Sequence, residues 1–328
     1  EYKHGIIIIT TGANASKPKE YLYDQCKNVI TQRELENDLE ENEKDYKKVK
    51  SAVFIQCVGS RDEEHPYCSR ICCAQAVKNA MRLKSLNPKM DVSVLYRDIR
   101  TFGFYEKYYQ EARQLGIVFI RYSEDAKPEI DIDSKKVVFG ENALIIKVKD
   151  HVLGTEMKLT PEKIILSPAI IPQEDVDIIS QMLKVPLNED RFFMEAHVKL
   201  RPVDFSAEGI FLAGLAHSPK GMEDTISQAK AAAERACAII SSEEYISEAN
   251  IARVDVDTCA GCGMCVSVCP YGAPELIWLN GKEYAYVNSA LCKGCGSCAS
   301  ICPSGAMQQL GYKEEQQLAM LNEALEIW

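Results

Sequence analysis

The sequence predicts an α/β protein followed by a small, internally repeated, cysteine-rich domain. Strand-like and helix-like segments alternate between Ala52 and Tyr122, which is typical of a doubly wound parallel sheet. Residues 257–273 (DTCAGCGMCVSVCPYGA) match residues 290–306 (ALCKGCGSCASICPSGA) almost one for one, which indicates a pseudo-twofold domain. The chain has 14 cysteines, and twelve of them fall in three tight groups.

Composition excludes several classes of protein. The 328 residues carry a net charge of −10, which argues against nucleic acid as the main partner because a phosphate backbone needs a cationic surface. No apolar run approaches the ~20 residues of a membrane span. Clustered thiols without an export signal indicate metal binding in a reducing cytoplasm. Cys26 and Cys237 stand apart and are interpreted as ordinary buried thiols.

The first predicted element is a buried parallel strand, Gly5–Thr10, which ends at Thr11-Gly12-Ala13. Because the chain begins without methionine and enters this strand at once, we expect it to lack an N-terminal part. Residues 33–50 are highly charged and predict a solvated helix plus linker.

A second α/β unit follows. Its predicted strands and helices are Ala52–Val58, Ser69–Leu86 with Ser69 as N-cap, Val92–Tyr96, Tyr105–Leu115 and Ile117–Tyr122. A small β-meander is then expected from Ile130–Ile132, Lys136–Phe139, Ala143–Lys149 and Lys163–Leu166. The strand Ile210–Ala213 and an Ala-rich helix over about 222–240 precede a polar link.

Each half of the repeat has the spacing C-x2-C-x2-C-x3-C-P, in which the fourth cysteine of one run ligates the cluster of the other run. One [4Fe–4S] cluster is therefore assigned to Cys259, Cys262, Cys265 and Cys302, and a second to Cys292, Cys295, Cys298 and Cys269. Gly261, Gly263, Gly294 and Gly296 allow the tight curl that this spacing needs. The alternative is a pair of zinc sites, but zinc usually takes C-x2-C pairs separated by a longer loop.

The third cysteine group comprises Cys57, Cys68, Cys72 and Cys73, at a predicted strand-to-helix turn. A dinucleotide-binding unit would carry G-x-G-x-x-G there, whereas residues 56–61 contain one glycine. We therefore expect this half to hold a third [4Fe–4S] cluster instead of NAD(P)H. The partial positive charge at the N-terminus of the helix favours thiolates and the negative charge of the cluster. The alternative is a set of buried free cysteines with a redox-active pair.

Two weaker signals indicate a flavoprotein of the thioredoxin-reductase type. One is the strand before Thr11 and Gly12, and the other is Gly209–Gly214 (GIFLAG) followed by a helix. The expected FAD contacts are Thr11, Gly12, Gly214, Leu215, Ala216, Gln228 and Ala229. Lys78 is the candidate catalytic residue, placed to stabilise reduced flavin, with His217 a lesser candidate and a surface lysine the alternative. No G-x-G-x-x-G is present to hold the pyrophosphate.

Three stretches together resemble the A-subunit of heterodisulfide reductase and its bacterial relatives. They are 57–80 (CVGSRDEEHPYCSRICCAQAVKNA), 195–220 (EAHVKLRPVDFSAEGIFLAGLAHSPK) and the double cysteine run. The resemblance implies thioredoxin-reductase-like flavoprotein halves with an inserted Fe–S site, plus a C-terminal α+β bacterial-type 2[4Fe–4S] ferredoxin domain. By similarity, Cys57, Cys68, Cys72 and Cys73 match the inserted-cluster ligands and Lys78 matches a lysine placed against the flavin.

The resemblance also implies domains and partners. The expected domains are 1–48 with 172–242 (the remainder of an FAD-binding domain), 49–171 (a degenerate NAD(P)H-type domain with the inserted site), 250–312 (ferredoxin domain) and 313–328 (tail). Expected partners are B- and C-like subunits of heterodisulfide reductase, the linker subunit of a hydrogenase or formate dehydrogenase, and ferredoxin. The expected function is flavin-based electron bifurcation in a cytoplasmic oligomeric complex. The alternatives are a non-catalytic electron wire and an NAD(P)H-dependent flavin reductase.

Overall fold

The structure is a computed structural model that describes residues 4–242, 250–279 and 281–326. The helices are α1 (Gln32–Glu41), α2 (Glu43–Tyr46), α3 (Cys72–Leu86), α4 (Glu106–Gln114), α5 (Val176–Leu183), α6 (Met222–Ile240), α7 (Met264–Val268), α8 (Ser297–Ile301) and α9 (Glu314–Glu326). The strands are β1 (Ile7–Ile9), β2 (Ala13–Ala15), β3 (Val29–Thr31), β4 (Ser51–Val58), β5 (Asp91–Tyr96), β6 (Val118–Arg121), β7 (Glu129–Val138), β8 (Glu141–Lys149), β9 (Glu156–Leu159), β10 (Lys163–Pro168), β11 (Ile170–Pro172), β12 (Ile210–Leu212), β13 (Ala252–Val254), β14 (Pro274–Leu279), β15 (Lys282–Val287) and β16 (Met307–Gln309). Within those ranges, no helix combines the length and apolar character that crossing a bilayer requires.

The chain divides into two compact units. One unit, here called the sheet unit, comprises Thr11–Gln173 and Gly214–Thr225. The other, here called the repeat unit, comprises the rest of the described chain. The predicted domain boundaries divide the chain differently and stay predictions.

A five-stranded parallel sheet forms the centre of the sheet unit, with the strand order β3-β10-β4-β5-β6. Its strands are short aliphatic runs, and β4 is buried at nearly every position, as expected for a central parallel strand. Side chains alternate between the two faces, so Phe54 joins one core while Val53 and Ile55 join the other. The predicted α/β class is confirmed.

Helices cover one face of this sheet and a second sheet covers the other. Leu35 of α1, Val77 of α3 and Ala112 of α4 pack into the core that contains Phe54. On the opposite face, Leu144 and Ile146 of β8 belong to an antiparallel sheet of order β7-β8-β9. The charged segment 33–50 thus contains most of α1, the short helix α2 and a linker, and it buries Leu35, Leu39 and Tyr46 rather than being fully solvated.

Three details differ from the sequence-based expectations. Lys163–Leu166 lies in β10 inside the parallel sheet, between β3 and β4, rather than in the meander, because Ile164, Ile165 and Leu166 fill the cores on both faces. Ile130–Ile132 and Lys136–Phe139 fall largely in one bulged strand, β7. Ser69 does not cap α3, because its Oγ accepts a hydrogen bond from the Ile170 N–H, and the cap position is Ile71.

In the repeat unit, β1 pairs in parallel with β12, and the Ala-rich helix α6 packs Ala232 and Ala236 against Phe211 of β12. The strand β1 is less buried than expected, since Ile8 is 38% exposed. Of the predicted polar link, 241–253, residues 241, 242 and 250–253 are described, with Ala252 and Arg253 in β13, and 243–249 lie outside the described residues.

The two isolated cysteines have different surroundings. Cys26 is buried in the core of the sheet unit, as predicted. Cys237 is exposed on α6, so the expectation of a buried thiol is wrong there. The reason is helical periodicity: its neighbour Ala236 faces the core, and the next residue on a helix points about 100° away.

The pseudo-twofold symmetry predicted from the repeat is visible in the backbone. Strand β13 pairs with β16, and the equivalent strand β15 pairs with β14. The Asp255 N–H donates to the Ala306 carbonyl at 2.8 Å, and the Asn288 N–H donates to the Ala273 carbonyl at 2.8 Å as well. Each half thus closes on the other half, which brings the start of one run next to the end of the other.

Candidate functional site

The C-terminal cysteines surround two cavities in the crossed arrangement that the spacing predicts. Cys259, Cys262, Cys265 and Cys302 line one small cavity, with a volume of about 20 Å³. Cys269, Cys292, Cys295 and Cys298 line the other, with a volume of about 10 Å³. In each set, three thiols come from one run and the fourth comes from the other run.

Two glycines let the chain curl around these cavities. Gly261 and Gly294 have φ values of +66° and +62°. A Cβ on Gly261 would lie closer than 3.0 Å to the Glu283 carbonyl oxygen, and one on Gly294 would lie equally close to the Asn250 carbonyl oxygen. Only glycine fits both the left-handed conformation and this close approach.

Backbone N–H groups point at the thiol sulfurs. The Ala285 N–H donates to Cys259 Sγ at 3.5 Å, and at the equivalent position the Ala252 N–H donates to Cys292 Sγ at 3.3 Å. The Met307 N–H donates to Cys302 Sγ at 3.4 Å. Such donors stabilise negative charge on sulfur, so these residues suit anionic thiolate ligands.

The thiols of each set are close enough to affect one another. Burial raises the pKa of the Cys298 thiol to about 11, and its neighbours Cys292, Cys269 and Cys295 act in the same direction. Among the described residues, no three His, Cys, Asp or Glu side chains converge on a single ion position. Thiols that ring a cavity suit a four-iron cube, in which each thiolate binds a different iron.

The third cysteine set lies at the carboxyl end of β4 and the start of α3. Cys57 follows six buried or half-buried strand residues, and Cys72 and Cys73 open the helix. Cys57 and Arg70 both adopt a left-handed conformation, with φ values of +60° and +61°. The Arg70 N–H donates to Cys68 Sγ at 3.3 Å. The loop therefore folds back and brings Cys68 towards the helix.

Electrostatic coupling shows that these four thiols are neighbours. Burial raises the pKa of Cys57 to about 11, with Cys73 and Cys68 adding to the rise and Arg61 opposing it. The hydrogen bond between Cys72 and Cys73 raises the pKa of Cys72 and lowers that of Cys73. The structure thus brings together all four residues of the predicted inserted site.

Arg61 and Arg100 lie near this set, since the charge of Arg61 acts to lower the pKa of Cys57 and Cys73 and that of Arg100 acts to lower the pKa of Cys73. Arg61 Nη2 donates to Asp98 Oδ2 at 2.8 Å, and Arg121 Nη2 donates to Asp98 Oδ1 at 3.4 Å. The first turn of α3 has no side-chain cap, so its N–H groups add to the positive potential. Four thiols in positive surroundings fit an anionic iron–sulfur cluster better than a set of inert buried cysteines.

Lys78 lines a cavity of about 810 Å³ in the sheet unit. The cavity lies among α3, the segment 100–105 and the first residues of α6. Its lining includes Arg100, aromatic side chains such as Phe102 and Tyr105, and Thr101, whose buried Oγ1 has no partner within the described chain. Lys78 is 65% exposed and pairs with Glu36 at 2.6 Å. The cavity is large enough for a flat aromatic ring system and offers both apolar faces and polar donors.

The other expected flavin contacts are placed as follows. The Thr11 carbonyl accepts a hydrogen bond from Gln173 Nε2 at 3.2 Å, and Gly12 has a φ of +77° with open space around it. Gly214 and Ala216 are buried, and Leu215 is half-buried. Gln228 and Ala229 lie on α6, beyond the residues that line the cavity. None of these seven residues lines it.

Two residues of interest carried no sequence signal. Lys220 is 6% exposed, and its Nζ donates to the Gly214 carbonyl at 2.9 Å and lies 3.1 Å from Nδ1 of His217. Thr101 is 2% exposed and reaches the cavity wall. A lysine or threonine in a loop is usually solvated, so only the folded structure identifies them.

Comparison with known proteins agrees with this geometry. The 4Fe-4S dicluster domain family matches residues 252–309. The chain is 41% identical over 298 residues to the second iron-sulfur A-subunit of the CoB–CoM heterodisulfide reductase of Methanopyrus kandleri, and the match covers 86% of this chain and 44% of that protein. It is 39% identical over 341 residues to the A-subunit of the H2:CoB–CoM heterodisulfide,ferredoxin reductase of Methanothermobacter marburgensis, covering 99% of this chain and 50% of that protein.

The fold is also similar to that of thioredoxin reductase from Lactococcus lactis, with a TM-score of 0.43 and 18% identity over 72% of this chain and 67% of that one. The chain spans about half the length of the curated relatives it matches. The match to the Methanothermobacter relative covers 99% of this chain and therefore extends through both units. Nearly the whole chain is therefore similar to about half of the A-subunit of heterodisulfide reductase.

Proposed function

We propose that this chain is the electron-transfer region of a heterodisulfide-reductase-type oxidoreductase, with three [4Fe–4S] clusters and one face of an FAD site. The crossed placement of the eight C-terminal thiols around two cavities is the observation that carries the proposal. Four thiols, backbone N–H donors and a cavity recur in each half, and this combination suits a cube. The inserted set supplies a third group of four thiols with positive surroundings.

The cavity beside Lys78 is the proposed site of the flavin ring. Iron–sulfur clusters carry single electrons, whereas a flavin exchanges electrons singly or in pairs. The cavity lining carries three cationic side chains, Arg70, Lys78 and Arg100, against the two carboxylates Glu223 and Asp224, and this excess of positive charge favours a negatively charged reduced ring. The Thr101 hydroxyl, which has no partner among the described residues, is a donor for a polar atom of the ring. The residues present therefore fit the group.

The proposed reaction is flavin-based electron bifurcation. Two pairs of electrons enter from a two-electron donor, two single electrons leave to ferredoxin, and the remaining two reduce one disulfide to two thiols. The name of the Methanothermobacter relative contains H2, a heterodisulfide and ferredoxin, and these three substrates balance in this way. The proposed partners are B- and C-like subunits, a hydrogenase or formate dehydrogenase linker subunit, and ferredoxin.

The alternative function is an electron wire, in which the chain only relays single electrons between partners. The chain of clusters supports both functions, so the flavin discriminates between them. Flavin one-electron potentials that are strongly crossed favour bifurcation, whereas an uncrossed pair or the absence of bound flavin favours the wire. Rapid bleaching by NADPH would instead support an NAD(P)H-dependent flavin reductase, against which the single glycine at 56–61 argues.

The first test is iron analysis of the anaerobically purified protein of this length. About twelve iron per chain is expected for three cubes. About eight would restrict the proposal to the C-terminal domain and would leave Cys57, Cys68, Cys72 and Cys73 without a cluster.

The second test replaces Lys78. Because Lys78 lines the cavity, Lys78→Ala is expected to shift the flavin potentials to lower values in a redox titration of the holoprotein. Arg82→Ala is the matched control, since Arg82 lies one turn further along α3, pairs with Glu43 and does not line the cavity. Equal flavin potentials in the wild type and Lys78→Ala would remove Lys78 from the mechanism.

A further inference from the structure

A buried glutamine next to the inserted cysteine set has no hydrogen-bond partner within the described chain. Gln56 is fully buried, and neither Oε1 nor Nε2 of its side chain has a partner among the described residues. Its backbone is fixed, because its carbonyl accepts a hydrogen bond from Tyr122 Oη at 2.6 Å. Buried amides are almost always paired in folded proteins, so a group outside the polypeptide is expected to complete the pairing.

Strand alternation places this amide beneath the start of α3. Gln56 shares a face of β4 with Ala52 and Phe54, which pack against Ala76 and Val77 of α3. In a strand–helix–strand unit, the helix runs back along the strand, so its N-terminus lies over the strand's carboxyl end. Gln56 is two residues beyond Phe54, and the cysteines that open α3 are one turn before Ala76 and Val77. The side-chain amide of Gln56 therefore lies at the same end of the sheet as Cys72 and Cys73 at the start of α3.

Arg61 presents a second unpaired donor to the same place. One arm of its guanidinium, Nη2, donates to Asp98, while Nη1 is buried and has no partner among the residues that the structure describes. Arg61 is close enough to Cys57 and Cys73 that each of these thiols is affected by its charge. Its backbone carbonyl accepts from Arg97 Nη1 at 2.7 Å, which holds the loop that carries it.

We propose that Gln56 and Arg61 donate hydrogen bonds to sulfur atoms of the inserted cluster and raise its reduction potential. The inference rests on the proposed cluster at Cys57, Cys68, Cys72 and Cys73. Hydrogen bonds to cluster or ligand sulfurs stabilise the more negative, reduced form, in which one added electron resides on the cluster. Both side chains are positioning residues for electron transfer, since they act through the cluster rather than on a substrate.

The test measures midpoint potentials of the anaerobic holoprotein by redox titration followed with EPR. The inserted cluster is identified as the signal that disappears in Cys68→Ser, and the two C-terminal clusters serve as internal standards. Gln56→Met keeps the side-chain size but removes the Nε2 hydrogen-bond donor. Arg61→Lys keeps the positive charge but removes the guanidinium group with its Nη1 donor. Each is expected to lower the midpoint of the inserted cluster and leave the other two unchanged.

Gln114→Met is the control. Gln114 is exposed at the end of α4 and lines neither the cysteine set nor the cavity beside Lys78. No shift of the inserted cluster is expected there. If Gln56→Met and Arg61→Lys retain all iron but leave the midpoint unchanged, the two residues are only structural and the inference is wrong.

Failure of the underlying assignment would look different. A wild-type protein with about eight iron per chain would have no inserted cluster at all, whatever the variants do. If Gln56→Met does not incorporate the cluster, the midpoint potential of Arg61→Lys tests the inference instead. Arg61 lies in the loop and outside the hydrophobic core, so its replacement is expected to leave the fold intact.

Discussion

The dicluster domain and the inserted cysteine set differ in what holds them in place. In the dicluster domain, Cys259, Cys265 and Cys298 are themselves part of the buried core, together with small residues such as Ala252 and Ala306. In the sheet unit, the core beside the inserted set contains large side chains such as Phe54, Leu83 and Met90. The dicluster domain is therefore expected to need its clusters in order to fold, whereas the sheet unit is expected to fold without the inserted cluster.

Iron removal gives the largest effect that separates the two regions. Because metal binding supplies much of the folding free energy of small metal domains, chelation under reducing conditions is expected to unfold 252–309. The strands β4 and β5 and helix α3 should remain folded, since their aliphatic core is independent of iron. Hydrogen exchange measured by mass spectrometry would show protection lost in the first region and kept in the second.

Equal loss of protection in both regions after chelation would contradict this comparison, because the sheet core would then depend on metal as well. A chelator-treated sample in which 252–309 stays protected would show that the alanine and cysteine core is sufficient by itself. Reconstitution with iron and sulfide is the control for irreversible damage.

The two regions also differ in how much their sequence revealed. The crossed grouping of the C-terminal cysteines was predictable because the spacing within each run is local and the repeat fixes how the runs cross. The parallel strands were predictable from aliphatic periodicity, and α6 has the expected bounds, Met222–Ile240. The place of β10 between β3 and β4 was not predictable, because strand order depends on contacts distant in sequence.

Side-chain partners were the least predictable feature. The side-chain amide of Gln56 and the hydroxyl of Thr101 have no partner because none of the described residues in other elements reaches them. The local sequence does not reveal this. Ser69 shows the same limit, since a residue typical of an N-cap instead binds the Ile170 N–H, 101 residues away in the chain. The local sequence indicates the secondary-structure propensity of a residue, whereas long-range packing determines its hydrogen-bond partner.

Backbone geometry provides a second, smaller test of the comparison. Gly294→Ala is expected to destabilise the dicluster domain by about 2–5 kcal/mol, because the new Cβ meets the Asn250 carbonyl oxygen and φ is positive. Gly281→Ala is the matched control, since its φ is +77° but no atom lies within 4 Å of the added Cβ. Its expected cost is only the conformational part, about 1–2 kcal/mol.

Thermal unfolding of the holoprotein, followed by the loss of cluster absorbance, measures both variants. A lower Tm for Gly294→Ala than for Gly281→Ala is the expected order. If the two variants had the same Tm, the close approach at Asn250 would not constrain the fold.

The smallest expected effect concerns a side-chain network in the sheet unit. Burial alone would raise the pKa of Glu36, but hydrogen bonds from Lys78, Gln75 and Asn79 outweigh it and hold the pKa below its usual value. A carboxylate with a lowered pKa stabilises the fold above the unfolded pKa of about 4.3, and this contribution disappears as the pH falls through the lower folded value. Glu36→Gln is therefore expected to cost about 0.5 kcal/mol at about pH 7 and progressively less in acid.

Urea unfolding of the sheet unit at neutral pH and at several acidic pH values measures this difference. Glu43→Gln serves as the control, because it removes the surface pair with Arg82 without touching Lys78. A cost for Glu36→Gln that stays constant from neutral pH into acid would mean that the carboxylate charge is not what the network stabilises. A cost that vanishes in acid would show that the charge of Glu36 contributes to the stability of the sheet unit.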